Sequence, residues 1–183
     1  MRNRTGWIFN IGKPERPKKN WTFSNVSERS TIYLKMRIEK DFKEFIGLLN
    51  SNKVKYLVVG GFAFSYYAEP RFTKDIDFLV EPSLENAQKL MHALAAFGFG
   101  DIGLKAEDFT ETGQVIQLGN APLRIDIATS ITGVPFEAAW ENKVLGNYHT
   151  EPCFFIGKKE LLKNKQALGR PQDIADVHKL KNI

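Results

Sequence analysis

Apolar positions become periodic only from about residue 36 onward. Ile38, Phe42, Phe45, Ile46 and Leu49 recur at the spacing of one helix face, with Glu39, Lys40, Lys43 and Glu44 opposite, which predicts a helix opening near Met36. Residues 54–59 form a short β-rich run ending at Gly60, and residues 62–68 a short helix closed by Glu69-Pro70. A second strand is predicted over 73–80, stopped by Pro82. Ser83 is placed to cap a helix through Phe97 with Ala87, Leu90, Met91 and Leu94 on its apolar stripe, ended by Gly98 and Gly100.

Residues 101–113 read as a polar loop. Two strands, 114–118 and 123–128, flank Gly119-Asn120, a hairpin signal. Pro135 opens a helix through Trp140, residues 147–156 are strand and turn material, and the chain is helical from Gly157 except at Gly169-Arg170-Pro171. Pro171 fits the first turn of the last helix. The order predicts an α/β (α+β) domain: a small mixed β-sheet flanked by helices, with a helical C-terminal segment.

Residues 1–35 show no sustained period and carry Pro14 and Pro17, so they are expected to be a poorly ordered leader ahead of a domain over 36–183. The change at Met36 marks it as a candidate initiator, with the preceding segment not native. Charge supports the division. Within residues 1–20, Arg2, Arg4, Lys13, Arg16, Lys18 and Lys19 stand against Glu15 alone, so this stretch accounts for the whole net charge of +5. Everything after residue 20 is formally neutral and offers no strong electrostatic footprint for nucleic acid.

A length of 183 residues suits one domain with a real core, and 43% hydrophobic with 26% charged residues is ordinary for a globular protein. No apolar run approaches the roughly 20 residues that span a bilayer, and no signal-peptide pattern opens the chain. Cys153 is the one cysteine, which excludes an intramolecular disulfide and fits a reducing compartment. A cytoplasmic protein without a membrane partner is expected.

The chemistry concentrates around Asp75-Ile76-Asp77. On a strand both carboxylates face the same side. Two anions held so close repel unless a cation lies between them, and hard oxygen ligands suit Mg2+ or Mn2+. Alone, an Asp-x-Asp is what surface alternation often produces. Here the flanks Phe78-Leu79-Val80 are apolar, and a carboxylate in such a run needs a partner. Asp126, in the apolar run Arg124-Ile125-Asp126-Ile127, offers a third ligand from a neighbouring strand. Upstream, Gly60-Gly61 offers backbone N–H groups that can approach a phosphate. Together these parts predict metal-assisted chemistry on a nucleoside triphosphate.

Val58-Val59-Gly60-Gly61, followed by Arg71-Phe72-Thr73-Lys74-Asp75-Ile76-Asp77 and a later strand with Asp126, resembles the signature of the DNA polymerase β-like nucleotidyltransferase superfamily. Within it the chain is most similar to the minimal nucleotidyltransferases and the AbiE-type toxin enzymes. The segment from Asn164 to Asp176 resembles the closing part of that group. The resemblance implies the nucleotidyltransferase fold and transfer of a nucleoside monophosphate from an NTP such as ATP to a hydroxyl, with release of pyrophosphate. It implies that Gly60 and Gly61 cradle the triphosphate, that Asp75 and Asp77 bridge the metals, and that Asp126 holds the catalytic metal and helps deprotonate the acceptor. Arg71 and Thr73 are further candidates for phosphate or acceptor contact, and Lys165 is the late-helix lysine favoured for the nucleotide. Many members carry Ser where Gly61 stands, and Ser65, one helical turn later, is the candidate substitute.

The acceptor is left open among a protein side chain, an RNA 3′ end and a small molecule. A toxin–antitoxin or defence setting with a cognate partner is what the resemblance implies. Two rivals stand beside the enzyme: a non-catalytic module or antitoxin that neutralises a partner protein, and a metal-dependent nuclease, for which the glycine pair has no evident use.

Overall fold

The computed structural model of the chain describes residues 7–9, 28–71, 73, 75–100, 102–119 and 124–183. Its centre is a mixed sheet in the order β1-β4-β5-β3-β2-β7-β6. The strands are β1 (Trp7–Phe9), β2 (Tyr56–Val59), β3 (Asp75–Val80), β4 (Val115–Leu118), β5 (Arg124–Ala128), β6 (Val144–Tyr148) and β7 (Glu151–Phe155). The helices are α1 (Glu28–Ser51), α2 (Gly60–Tyr67), α3 (Leu84–Leu94), α4 (Phe136–Glu141), α5 (Lys158–Leu168) and α6 (Pro171–Lys181). β2 to β7 build the body of the sheet, and β1 adds three residues parallel to β4 at one edge. The α/β architecture expected from the hydrophobic pattern is therefore present.

Alternation on the central strands decides which face is covered. Ile76, Phe78 and Val80 are buried on one side of β3. Phe45 of α1 meets Phe78 edge-on at 5.5 Å and Phe97 at 5.0 Å, and Tyr56 meets Phe78 at 5.6 Å. α1 thus seals this face by the stripe read from the sequence, with Phe42, Phe45, Ile46 and Leu49 all fully buried. Each such side chain contributes about 1.5–3 kcal/mol when taken out of water. The opposite face carries the carboxylates.

Several boundaries differ from the expectation. α1 begins at Glu28, ahead of Met36. The rest of the leader, residues 1–6 and 10–27, with the basic residues from Arg2 to Lys19, lies outside the described residues. α2 starts on Gly60 itself rather than at Phe62. After Leu94 the helix widens into a π-helical turn, Ala95–Phe99, and breaks at Gly98 with φ 106°. The polar loop contains a 3₁₀ turn, Ala106–Phe109, whose Phe109 is fully buried. β4 and β5 pair antiparallel as predicted, while Asn120 and residues 121–123 lie outside the described residues. β6 and β7 form a hairpin whose first strand exposes Leu145 and Asn147, so its pattern is too polar to read as core.

Two polar devices tie helices to the segments that flank the strands. Asn86 is buried; its side-chain oxygen accepts from the Lys55 N–H at 2.7 Å and its amide donates to the carbonyls of Lys55 and Glu81. Asn164 of α5 donates to the Thr132 carbonyl at 2.9 Å. Among the described residues no helix is long and apolar enough to cross a membrane.

Candidate functional site

β3 and β5 run parallel with Asp75 beside Arg124 and Asp77 beside Asp126. Residues two apart on a strand share a face, so the three aspartates predicted from the sequence lie on one side of the sheet. Asp126 is buried, and Asp75 and Asp77 are half-buried. On the other flank of Asp77, β2 ends with Val59 as its register neighbour, and the chain turns at once into α2.

Gly60 makes that turn with φ +63°. A Cβ there would stand 2.8 Å from Asp77 Cγ and closer still to Oδ2. The position therefore demands glycine twice, for its left-handed backbone and for the carboxylate packed on its Cα. The Gly61 N–H donates to the Asp77 carboxylate. The glycine pair so lies against the carboxylates, as the sequence reading required.

Three further side chains organise the acids. The Arg124 guanidinium bridges the group: its Nε donates to Asp126 Oδ1 at 2.9 Å and its Nη2 to Asp75 Oδ2. Gln117, the register neighbour of Asp126 on β4, donates to Oδ2 of Asp126 at 3.1 Å. The Thr73 hydroxyl lies 2.7 Å from the Asp75 carbonyl and 3.1 Å from Asp75 Oδ1. Arg124 and Gln117 were not assigned roles from the sequence. Arg124 could have been found, because it sits two residues before Asp126 and must share its face; Gln117 needed the hairpin register.

One guanidinium does not balance three carboxylates. Burial, then the charges of Asp126 and Asp75, push the Asp77 carboxyl up to about 7, against the Gly61 N–H and Arg124. Burial also raises Asp126, opposed by Arg124 and Gln117. Among the described residues no three His, Cys, Asp or Glu side chains already close on a point as a finished metal cage. Arg124 spans Asp75 and Asp126 instead. The donor set still fits a divalent cation: its oxygens are hard, they share one face, and they carry an excess of negative charge.

The remaining predicted residues form a second group at α2, α5 and α6. Lys165 is 4% exposed and its ammonium reaches Asp176 at 2.6 Å and Asp173 at 3.4 Å, both aspartates being 1% exposed. Arg71 donates to Asp176 at 2.7 Å and Arg170 to Asp173 at 2.5 Å. Arg71 also lies over the Phe64 ring of α2 at 4.9 Å, with the Lys165 ammonium at 5.8 Å. Burial disfavours the charge on Asp173, yet Arg170 and then Lys165 hold its carboxyl below the usual range. For Asp176 burial is likewise outweighed, by hydrogen bonds from Lys165 and Gln172 and by the charges of Lys165 and Arg71. Lys165 is thus committed to a buried ion network, whereas Arg71 keeps 31% of its side chain accessible. The Ser65 hydroxyl accepts from the Arg71 N–H at 3.3 Å.

α2 joins the two groups. Its first residue touches Asp77, its Phe64 lies beneath Arg71 and Lys165, and the charge of Asp77 reaches Arg170. The Phe136–Trp140 pair stacks at 5.8 Å, and Trp140 packs edge-on against Phe154 at 5.5 Å, which makes it packing, as expected. Burial lifts the Cys153 thiol to about 12, leaving it unreactive.

Against known proteins, residues 49–145 match the family described as nucleotidyl transferase AbiEii toxin, type IV TA system. The chain belongs to this family. The matched span contains β2, α2, β3 and β5, and with them the glycine pair and all three aspartates. Among curated proteins the comparison finds no match. The AbiEii assignment agrees with the resemblance drawn from the motif residues and with the mixed sheet. It brings nucleotidyl transfer in a toxin–antitoxin system as the family's activity.

Proposed function

We propose that this AbiEii-family chain is a metal-dependent nucleotidyltransferase that moves a nucleoside monophosphate from an NTP to a hydroxyl and releases pyrophosphate. The observation that carries the reading is the register of β3 and β5, which sets Asp77 beside Asp126 and Asp75 on the same face, against Gly60. Asp75, Asp77 and Asp126 would hold Mg2+ or Mn2+. Such ions supply charge neutralisation at the α-phosphate and lower the proton affinity of a bound hydroxyl.

The protein's own groups set the rest. The α2 N-terminus favours phosphate oxygens, with the Gly61 N–H itself already given to Asp77. Arg71, with its accessible guanidinium, is the phosphate contact of the second group, and the buried Lys165 fixes Asp176 behind it. Thr73 and Ser65 hold the segment between α2 and β3. The acceptor oxygen attacks the α-phosphorus, the bond to pyrophosphate breaks, and Asp126 takes the hydroxyl proton and passes it to water. In-line positioning of these groups lowers the barrier by removing motional freedom before the chemistry. The acceptor is a hydroxyl of a protein, an RNA 3′ end or a small molecule in the cytoplasm, and a cognate antitoxin is the partner.

The bridge from Arg124 to Asp75 and Asp126 favours a second reading, a nucleotidyltransferase-fold binding module whose acids are satisfied internally. Incubation with Mg2+, each α-labelled NTP and cell extract separates the two. Label transfer that Asp75→Ala and Asp77→Ala abolish supports the enzyme. Wild-type protein that labels nothing with any NTP supports the module.

A further inference from the structure

Arg124 is the feature that the proposed chemistry does not use. It stands on β5 two residues before Asp126 and across from Asp75, and its guanidinium spans both. Its side chain is 39% exposed, so water can receive it if it leaves. The carboxylates it touches are those that would share cations, and each Asp oxygen committed to a guanidinium N–H is one less free for a metal. Gln117 holds the other oxygen of Asp126 from β4, so that carboxylate stays in place when Arg124 departs.

We propose that Arg124 is a resident counter-cation of the carboxylate face that competes with divalent metal for Asp75 and Asp126, so that loading the site displaces its guanidinium. This rests on the reading that the three aspartates hold metal. A charged donor is a strong partner for a carboxylate, and two such bonds held by one planar group set a threshold for metal entry. The threshold keeps the site closed by its own cation at low metal concentration. Nucleotide phosphates, which accept from a guanidinium as readily as carboxylates do, then offer Arg124 a new partner in the loaded complex. Arg124 is thus a positioning residue with respect to the acids, and its removal acts on metal affinity before any turnover.

The test is Mn2+ binding to the full chain without nucleotide, read by electron paramagnetic resonance of free Mn2+, for wild type, Arg124→Gln, Arg124→Ala, Gln117→Ala and Asp77→Ala. Removing the competitor is expected to tighten Mn2+ binding about tenfold in both Arg124 variants, the equivalent of one lost ion pair of about 1.4 kcal/mol. Asp77→Ala is expected to abolish binding, and Gln117→Ala to weaken it. A merely structural arginine would give the opposite sign, weaker binding after its loss. Thermal unfolding in EDTA and in Mn2+ guards against misfolding: the Arg124 variants should unfold earlier in EDTA and gain more from Mn2+ than wild type does. Equal or weaker Mn2+ binding in folded Arg124 variants, with Asp77→Ala still abolishing it, overturns the competition alone. Binding that Asp77→Ala leaves unchanged overturns the metal reading beneath it.

Discussion

Replacing Asp77 by Asn should stabilise the protein in EDTA, and by an amount that depends on pH in a defined way. Asp77 faces Asp126 and Asp75 with Arg124 as the nearest cation, and its carboxyl is pushed up to about 7, with burial the largest cause. An unfolded Asp titrates near 4, so between about pH 4 and pH 7 the folded state holds the extra proton. Stability therefore falls as pH rises through this window. A rise from 3.8 to about 7 is roughly three units, and at about 1.4 kcal/mol each the ceiling is about 4 kcal/mol. Water near a half-buried group and relaxation of Asp126 lower this, so the expected gain for Asp77→Asn at pH 8 and low salt is about 1–3 kcal/mol. For a domain of this size that is roughly 2–4 °C in Tm per kcal/mol.

Asn keeps an oxygen to accept from the Gly61 N–H, so the substitution removes charge with little change of shape. Below about pH 4 the carboxyl is neutral in both the folded and the unfolded state, and the difference between the two proteins should vanish. The assay is urea unfolding of both proteins from about pH 3.5 to pH 8 in EDTA, repeated at high salt, where the gain should shrink. A difference that is flat with pH, or an Asn variant less stable at pH 8 than wild type, would refute the reasoning that the acids repel one another across β3 and β5.

Other perturbations test separate parts of the account. Gly60→Ala should cost at least about 1–2 kcal/mol from the left-handed backbone alone, and it should also weaken Mn2+ binding because Asp77 must move; unchanged Mn2+ binding would contradict the packing described. Lys165→Met removes one partner of a buried network and should destabilise by about 3–5 kcal/mol in urea, whereas a neutral result would show that Asp173 and Asp176 are carried by Arg170 and Arg71 alone. Asp126→Asn should leave NTP binding by calorimetry largely intact while removing turnover, since Asp75 and Asp77 still hold one cation; loss of nucleotide affinity would count against that division of roles.

The parts of the structure that were legible in the sequence share a cause: burial writes a period. The α1 stripe, the apolar flanks of Asp75-Ile76-Asp77 and the run around Asp126 announced the helix, the two strands and the face shared by the acids. The first half of β6 was not legible, because its side chains alternate between exposed and half-buried rather than buried and exposed. Lys165 was expected as a nucleotide contact, whereas it is buried against Asp173 and Asp176, which arrive from α6, and only the packing of two late helices brings the three together. Arg124 shows a different limit. The spacing placed it on the right face, yet the bridge to Asp75 depends on β3 and β5 being parallel neighbours in one register. Sequence patterns report what each strand buries far better than which strand lies beside it.

The most direct test of the central claim follows both ends of one nucleotide. Protein, Mg2+ and cell extract are given the same NTP labelled at the α-phosphate in one reaction and at the γ-phosphate in the other. The account predicts that the α-label moves to an acceptor while the γ-label leaves as pyrophosphate in equal amount, with both events lost in Asp77→Ala. Transfer of the γ-label to the acceptor, or release of orthophosphate with no α-label transferred, would contradict it.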